Sequence, residues 1–398
     1  MNTEIKLFEN KSDCCGCGAC YNECPQDAIS LNKDEYGFLF PRIDTNRCIK
    51  CGLCGKVCPI KNENNLYRST CAYAVALKDT KILKKSASGG AFAGIAHYIL
   101  EQGGIVYGAS YGKDLYVHHI DVKNKKDLEK LQDSKYVQSD TERTYTKVRE
   151  NLADGKKVLF CGTPCQIAGL KSFLHKDYEK LYTLDLVCHG VPSYQFFIDG
   201  INSLVKIGDK IKQVSFRSKE NGWGTEGFVL TENGKYLFNE RTSSYYYYFL
   251  RSATYRDSCY KCKFASENRP GDISIGDYWK IESAHPDFRK IFDETKGVSC
   301  VLINTEKGKE LFDFAKKEFY VIDSSVQLVK ERNGRLSEEQ SRPAPSVRKT
   351  LLEIYKNEGY PSINKYWMKN ERKQLYILRI KDLVRPFYKI IKRWLREF

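Results

Sequence analysis

Two stretches near the N-terminus share one cysteine spacing, and no other feature of the chain limits its folding as sharply. Cys14-x-x-Cys17-x-x-Cys20-x-x-x-Cys24-Pro25 is followed by Cys48-x-x-Cys51-x-x-Cys54-x-x-x-Cys58-Pro59. A disulfide frame is not expected. The start, Met1-Asn-Thr-Glu-Ile-Lys, has no apolar export signal, and reducing compartments keep thiols free. Metal is the expected use. A zinc site takes four ligands, commonly as two Cys pairs with a long gap between them, and these runs lack that gap. Three closely spaced thiolates plus a distant fourth, twice over, fit two [4Fe–4S] clusters instead.

The spacing is that of bacterial two-cluster ferredoxins, in which the fourth cysteine of each run reaches the other cluster. Crossed ligation is therefore predicted, with Cys14, Cys17 and Cys20 joined by Cys58, and Cys48, Cys51 and Cys54 joined by Cys24. Gly16, Gly18, Ala19, Gly52 and Gly55 leave room for backbone N–H groups near the sulfurs. The prolines turn the chain out of each site. Cys15 has no place in the pattern and is expected to be a spare thiol.

Further along, apolar runs alternate with amphipathic segments. Strands are predicted at 71–77, 104–109, 157–161, 181–187, 272–276 and 298–304, with helices after Ser88-Gly-Gly and near Gln166–Leu174. The expected fold is a mixed α/β domain with an antiparallel part around 211–239, preceded by the small ferredoxin-like unit. The expected boundaries are 1–64, 71–330 and 331–398, with 60–66 as a linker. Cys165 follows a strand in Gly162-Thr-Pro-Cys, Cys188 ends another, and Cys259-x-x-Cys262 is a ligand-type pair flanked by Arg256, Asp257, Lys261 and Lys263. Strand ends of an α/β sheet gather ligands. These four thiols either hold a third cluster or are inert; Cys71, Cys161 and Cys300, inside apolar runs, suit the inert reading.

At 41% hydrophobic and 29% charged, the chain is not disordered, and no apolar run is long enough to span a membrane. The net charge is +15, but 11 Lys/Arg against three acidic residues lie between Lys365 and Phe398, so +8 of it belongs to the tail. No nucleic-acid-binding module accompanies this charge, and no nucleic-acid partner is expected. Phe387, Ile390, Ile391, Trp394, Leu395 and Phe398 share one helical face opposite Lys and Arg. That pattern suits an interfacial helix on anionic lipid or a helix packed on protein. A cytoplasmic location is expected, with peripheral contact on the inner face of the membrane as the tail's further option.

From 72 to 325 the sequence resembles the beta subunits of coenzyme F-420 hydrogenases and dehydrogenases, to which a plant hydroxymethyl chlorophyll reductase is related. The resemblance rests on Ser88-Gly-Gly-Ala-Phe, Ser134-Lys-Tyr-Val-Gln-Ser, Gly162-Thr-Pro-Cys-Gln-Ile-Ala-Gly-Leu and Asp185-Leu-Val-Cys-His-Gly-Val-Pro. Ser215-Phe-Arg, Ser258-Cys-Tyr-Lys-Cys-Lys-Phe-Ala and Asp272-Ile-Ser-Ile-Gly-Asp-Tyr-Trp complete it, in order. It implies an iron–sulfur flavoprotein with FAD beside one [4Fe–4S] cluster. Carried onto this chain, the cluster ligands are Cys165, Cys188, Cys259 and Cys262. FAD is expected against Ser88, Gly89, Gly90, Lys135, Tyr136, Val137, Gln138, Ser139, Gly162, Thr163, Pro164 and Asp277. Similar members accompany capsule and exopolysaccharide enzymes.

Two expectations follow. In the first, a ferredoxin or similar donor loads the N-terminal clusters, and electrons pass through the third cluster and FAD to an organic substrate, a sugar or lipid-linked glycan. His189 is then the proton-delivery candidate. In the second, the chain is an electron-transfer subunit of a larger F-420- or ferredoxin-linked hydrogenase or dehydrogenase complex. Arg217 and Arg269 are read either as anion partners or as surface charge. The run Tyr245-Tyr-Tyr-Tyr-Phe-Leu is expected to be a packed helix or strand edge.

Overall fold

The computed structural model describes residues 6–337 and 344–372, so the tail helix predicted at 387–398 lies outside the described residues. Eight strands form the central sheet: β1 (Cys71–Leu77), β2 (Ile105–Tyr111), β3 (Val117–Val122), β4 (Val158–Gly162), β5 (Leu181–Leu186), β6 (Ile273–Asp277), β7 (Ser299–Ile303) and β8 (Phe319–Ser324). Their order across the sheet is β8-β1-β7-β6-β5-β4-β2-β3. β2, β4, β5 and β6 run parallel, with Gly162 opposite Asp185 and Ile275 opposite Leu186. β7 is antiparallel to both β6 and β1.

The near-continuous apolar composition of these strands suits a sheet covered on both faces. On one face, helix Ala91–Glu101 packs Ile95, Ala96 and Ile99 against Val75, Val106 and Val301. On the other, Phe160 and Leu181 meet Tyr145, Ile167 and Phe173. A separate aromatic core joins the antiparallel sheet Ile211–Ser215, Gly227–Thr231 and Lys235–Phe238 to helix Ser244–Leu250. The tyrosine run thus forms a packed helix, with Tyr245 through Phe249 buried. Among the described residues no helix is long and apolar enough to cross a membrane.

The cysteine-rich segment lies against the sheet domain. Cys17, Ala19 and Val57 join the same core as Phe160 and Leu170. Arg143 donates to Tyr21 O at 2.8 Å, and Asn22 Nδ2 donates to Glu142 O at 2.7 Å. Residues 60–66 are tied down rather than loose: Asn62 Nδ2 donates to Gly55 O, Lys56 O and Cys58 O.

The carboxyl ends of β1, β6, β5, β4 and β2 lie along one edge of the sheet. Leu77, Asp277, Leu186, Gly162 and Tyr111 mark it, and the chain continues from there into Ser88–Gly90, Cys188 and Cys165.

Candidate functional site

Three cavities concentrate the cysteines. Cys14, Cys17, Cys20 and Cys58 line the first, which also touches Cys15 and Cys54. Cys24, Cys48, Cys51 and Cys54 line the second. Cys165, Cys188, Cys259 and Cys262 line the third, again with Cys15 at its wall.

The local backbone explains the first two groupings. Gly18 and Gly52 take left-handed conformations (φ 80° and 75°) and start the short helices Ala19–Glu23 and Leu53–Lys56. Each run therefore bends back at its middle, and its fourth cysteine is carried toward the other run. The Cys20 thiol is pushed upward by burial and by the nearness of Cys14, Cys58 and Cys54. The Cys54 thiol is raised by burial, and Cys51, Cys48 and Cys24 act in the same direction.

The third cavity is assembled from distant loops at the sheet's carboxyl edge. Helix Pro164–Leu174 opens with a capping box between Thr163 and Gln166 and with Pro164 in its first turn, which fixes Cys165 in that turn, at the wall of the third cavity. Val187 N donates to Ile275 O, which holds the chain beside Cys188 on β6. Burial, then the neighbouring Cys165, pushes the Cys188 thiol up to about 12. Cys259 is raised by burial and by Cys188 and Cys262, and Cys262 by burial and by Cys165. Four partly buried thiols gathered at one cavity suit a shared cationic core, because positive charge between them favours the thiolate. Among the described residues no three His, Cys, Asp or Glu side chains close around a single ion. A four-iron cube spreads its thiolates wider than one ion does.

Buried charge surrounds this cavity. Arg269 is 1% exposed and Asp185 0%. Arg269 Nε donates to Asp185 Oδ1 at 3.1 Å, and its guanidinium also reaches Phe264 O at 2.9 Å and Leu186 O at 2.8 Å. The pair ties the segment after Cys262 to the strand before Cys188. Arg217 forms a second such pair, with Nη1 2.7 Å from Asp277 Oδ2. Neither arginine is a surface charge; both are internal, carboxylate-bound struts.

The expected flavin residues divide into groups. Gln138, Ser139, Thr163 and Pro164 line the third cysteine cavity, and Gly162 precedes them on β4. Ser88, Gly89 and Gly90 stand at the β1 end. Ser88 Oγ donates to Val298 O, and a Cβ at Gly89 would lie 2.1 Å from Val75 O, so that glycine serves close backbone packing. Asp277 is engaged by Arg217. Lys135 is half-buried over Tyr111, Tyr136 packs among aromatic rings, and Val137 is 3% exposed in the core. His189 is exposed, beside Cys188.

Residues 155–326 match the C-terminal part of the coenzyme F420 hydrogenase/dehydrogenase beta subunits, and residues 13–62 match a 4Fe-4S dicluster domain. The chain is thus similar to those beta subunits over much of its sheet domain and to dicluster ferredoxins over its cysteine runs. The Coenzyme F420-dependent sulfite reductase of Methanocaldococcus jannaschii is 26% identical over 331 residues, which cover 77% of this chain and 47% of that protein. This chain thus spans about half the length of that relative. One subunit of the F(420)H(2) dehydrogenase of Methanosarcina mazei is 22% identical, over 78% of this chain and 84% of that one. The F420-reducing [NiFe] hydrogenase complex from Methanosarcina barkeri includes a chain with a TM-score of 0.46 and 19% identity, covering 78% of this chain and 96% of that one.

Arg335, His119 and Cys15 are not singled out by the cysteine spacing. Arg335, 7% exposed, donates from Nε to Cys188 O (3.2 Å) and from Nη2 to Cys259 O (3.1 Å), bridging two loops of the third cavity. His119 is 2% exposed, lies against Cys161 O and Ser139 Oγ, and stacks on Phe160. Cys15, expected to be spare, lies at the walls of both the first and third cavities, where its contact raises the Cys165 thiol. A doubled thiol, Cys14-Cys15, was the available signal for it.

Proposed function

We propose that this chain is an iron–sulfur electron-transfer subunit with oxidoreductase activity, working within a hydrogenase- or dehydrogenase-type assembly. The carrying observation is the third cavity, where four cysteines from three separate segments converge beside the first cavity of the dicluster region. Cys14, Cys17, Cys20 and Cys58 would hold one [4Fe–4S] cluster, Cys24, Cys48, Cys51 and Cys54 a second, and Cys165, Cys188, Cys259 and Cys262 a third. Such clusters supply one-electron transfer. The protein's part is to hold thiolates in reach, keep water out of the inner two sites, and leave the second near the surface, where Cys51 is exposed and Ile49 is 61% exposed. Arg47, Lys50 and Lys56 around that opening favour an acidic electron carrier such as a ferredoxin. The names of the relatives support coenzyme F420 linkage of the assembly, and they favour the electron-transfer reading over glycan reduction.

A flavin along the sheet's carboxyl edge is a finer reading, favoured by the alignment of Ser88–Gly90, Asp277 and Thr163 on that one edge. Iron, acid-labile sulfide and flavin are measured on protein purified without oxygen, with Cys188→Ser and Cys51→Ser alongside. The expected result is about twelve irons for the natural chain and about eight for each variant, from three four-iron sites. Eight irons in the natural chain, unchanged by Cys188→Ser, would remove the third site. A flavin-free protein with twelve irons would remove the flavin and leave the relay.

A further inference from the structure

Arg256 stands where the first and third cavities approach each other. Its backbone belongs to the third: Cys259 N donates to Arg256 O at 2.9 Å, three residues along, and Arg256 N donates to Val191 O at 2.9 Å. Its side chain crosses to the first. Nε donates to Cys14 O at 2.6 Å, and Nη1 donates to Gln138 Oε1 at 3.1 Å. Gln138 Nε2 in turn donates to Cys15 O at 3.2 Å. One residue thus connects a ligand loop of each cavity.

The chemistry of this arginine is unusual for its surroundings. It is 1% exposed, and its guanidinium lies 4.0 Å from the Phe40 ring centre. Among the described residues it has no carboxylate partner, and Nη2 has no hydrogen-bond partner. Arg269 and Arg217, equally buried, each have a carboxylate. A buried cation is costly unless negative charge answers it, and an arginine does not escape by losing its proton. Cluster-ligand candidates of both cavities flank it: its side chain donates to Cys14 O, and its own carbonyl accepts from Cys259 N.

We propose that Arg256 is a positioning residue shared by two cluster sites, locking the Cys14 loop to the Cys259 loop and favouring, through its charge, the reduced state of both clusters. This rests on the three-cluster reading above. Reduction adds one negative charge to a cluster, and a fixed positive charge beside it lowers the energy of that state.

The test is a potentiometric titration followed by electron paramagnetic resonance on the full chain, comparing the natural protein with R256K and R256Q. In R256Q two of three couples are expected to become about tenfold harder to reduce, which is about 59 mV for a one-electron couple. The third, at Cys24, Cys48, Cys51 and Cys54, is expected to stay put. R256K keeps the charge with a different reach and should shift the same two by less. Iron content is read on every sample, so fewer than about twelve irons in the natural chain counts against the cluster reading itself. Twelve irons with all three couples unchanged in both variants overturns the proposal, as does an equal shift in all three. If R256Q fails to hold iron, R256K decides by the same criteria.

Discussion

The two cysteine runs have identical spacing and opposite surroundings. Cys17 is 7% exposed, and its carbonyl accepts from Thr141 Oγ1 at 3.1 Å and Tyr145 OH at 2.8 Å. The equivalent Cys51 is exposed. A Cβ at Gly18 would sit 2.3 Å from Thr141 Oγ1, whereas one at Gly52 meets nothing within 4 Å. Spacing therefore sets how a run bends and which thiols it offers. The neighbours decide whether those thiols face the protein interior or a partner. A relay needs one of each, and a doubled motif supplies both from one local design.

The largest way to break the symmetry is Gly18→Ala against Gly52→Ala. Both place a side chain at positive φ, which costs about 1–2 kcal/mol. Only Gly18→Ala also drives a methyl group into Thr141, a crowding effect of about 1–3 kcal/mol more. Denaturant unfolding should show Gly18→Ala as the more damaging by roughly that second amount. Equal losses would mean that the first run is not held against the sheet domain as described.

This contrast marks what was legible in the sequence. The doubled spacing, six of the eight central strands and the antiparallel insertion around 211–239 follow from local pattern, because period and punctuation are local. The edge strand Val117–Val122 is not predicted by that pattern. The edge strand Phe319–Ser324 escapes such a reading: it mixes buried Phe319 with exposed Tyr320 and Asp323, so its alternation is weak. The roles of Arg256 and Arg335 are also beyond its reach. Arg256 meets Cys14 across 242 residues of sequence, and Arg335 meets Cys188 across 147. Such contacts are products of topology, and no spacing rule encodes them.

The inner run also leans on a support that titrates. Gln166 Nε2 donates to Ser139 Oγ, and Ser139 Oγ lies 3.2 Å from His119 Nδ1. Burial lowers His119 to about 4 from an ordinary value of 6.5. The unfolded chain thus binds a proton at His119 between those values while the folded chain does not. Stability from this group is complete above pH 6.5 and drains as pH falls toward 4, by at most about 3 kcal/mol. His119→Phe should flatten the acid limb of stability in that window, read from denaturant midpoints at about pH 7 and about pH 4.5. An acid limb of unchanged slope would show that His119 is not the group responsible.

The smallest test isolates a single contact of the inner run. Tyr145 OH reaches two carbonyls, Cys17 O and Gln166 O, each at 2.8 Å, and the side chain is wholly buried. Tyr145→Phe keeps the ring in its place against Phe160 and Phe173 and removes only the hydroxyl. One lost hydrogen bond costs about 1 kcal/mol, somewhat more where a buried acceptor is left without a partner. Cys17 O keeps Thr141 Oγ1, so the expected loss is about 1–2 kcal/mol, with both cavities still able to bind iron. The informative readout is the rate at which a chelator strips iron. If the tyrosine holds the inner run closed, iron bound at Cys14, Cys17, Cys20 and Cys58 becomes easier to remove while the outer site at Cys24, Cys48, Cys51 and Cys54 is unaffected. A uniform rise in stripping would instead assign Tyr145 to general packing, and the inner run would owe its closure to Thr141 and the apolar contacts of Cys17 and Ala19.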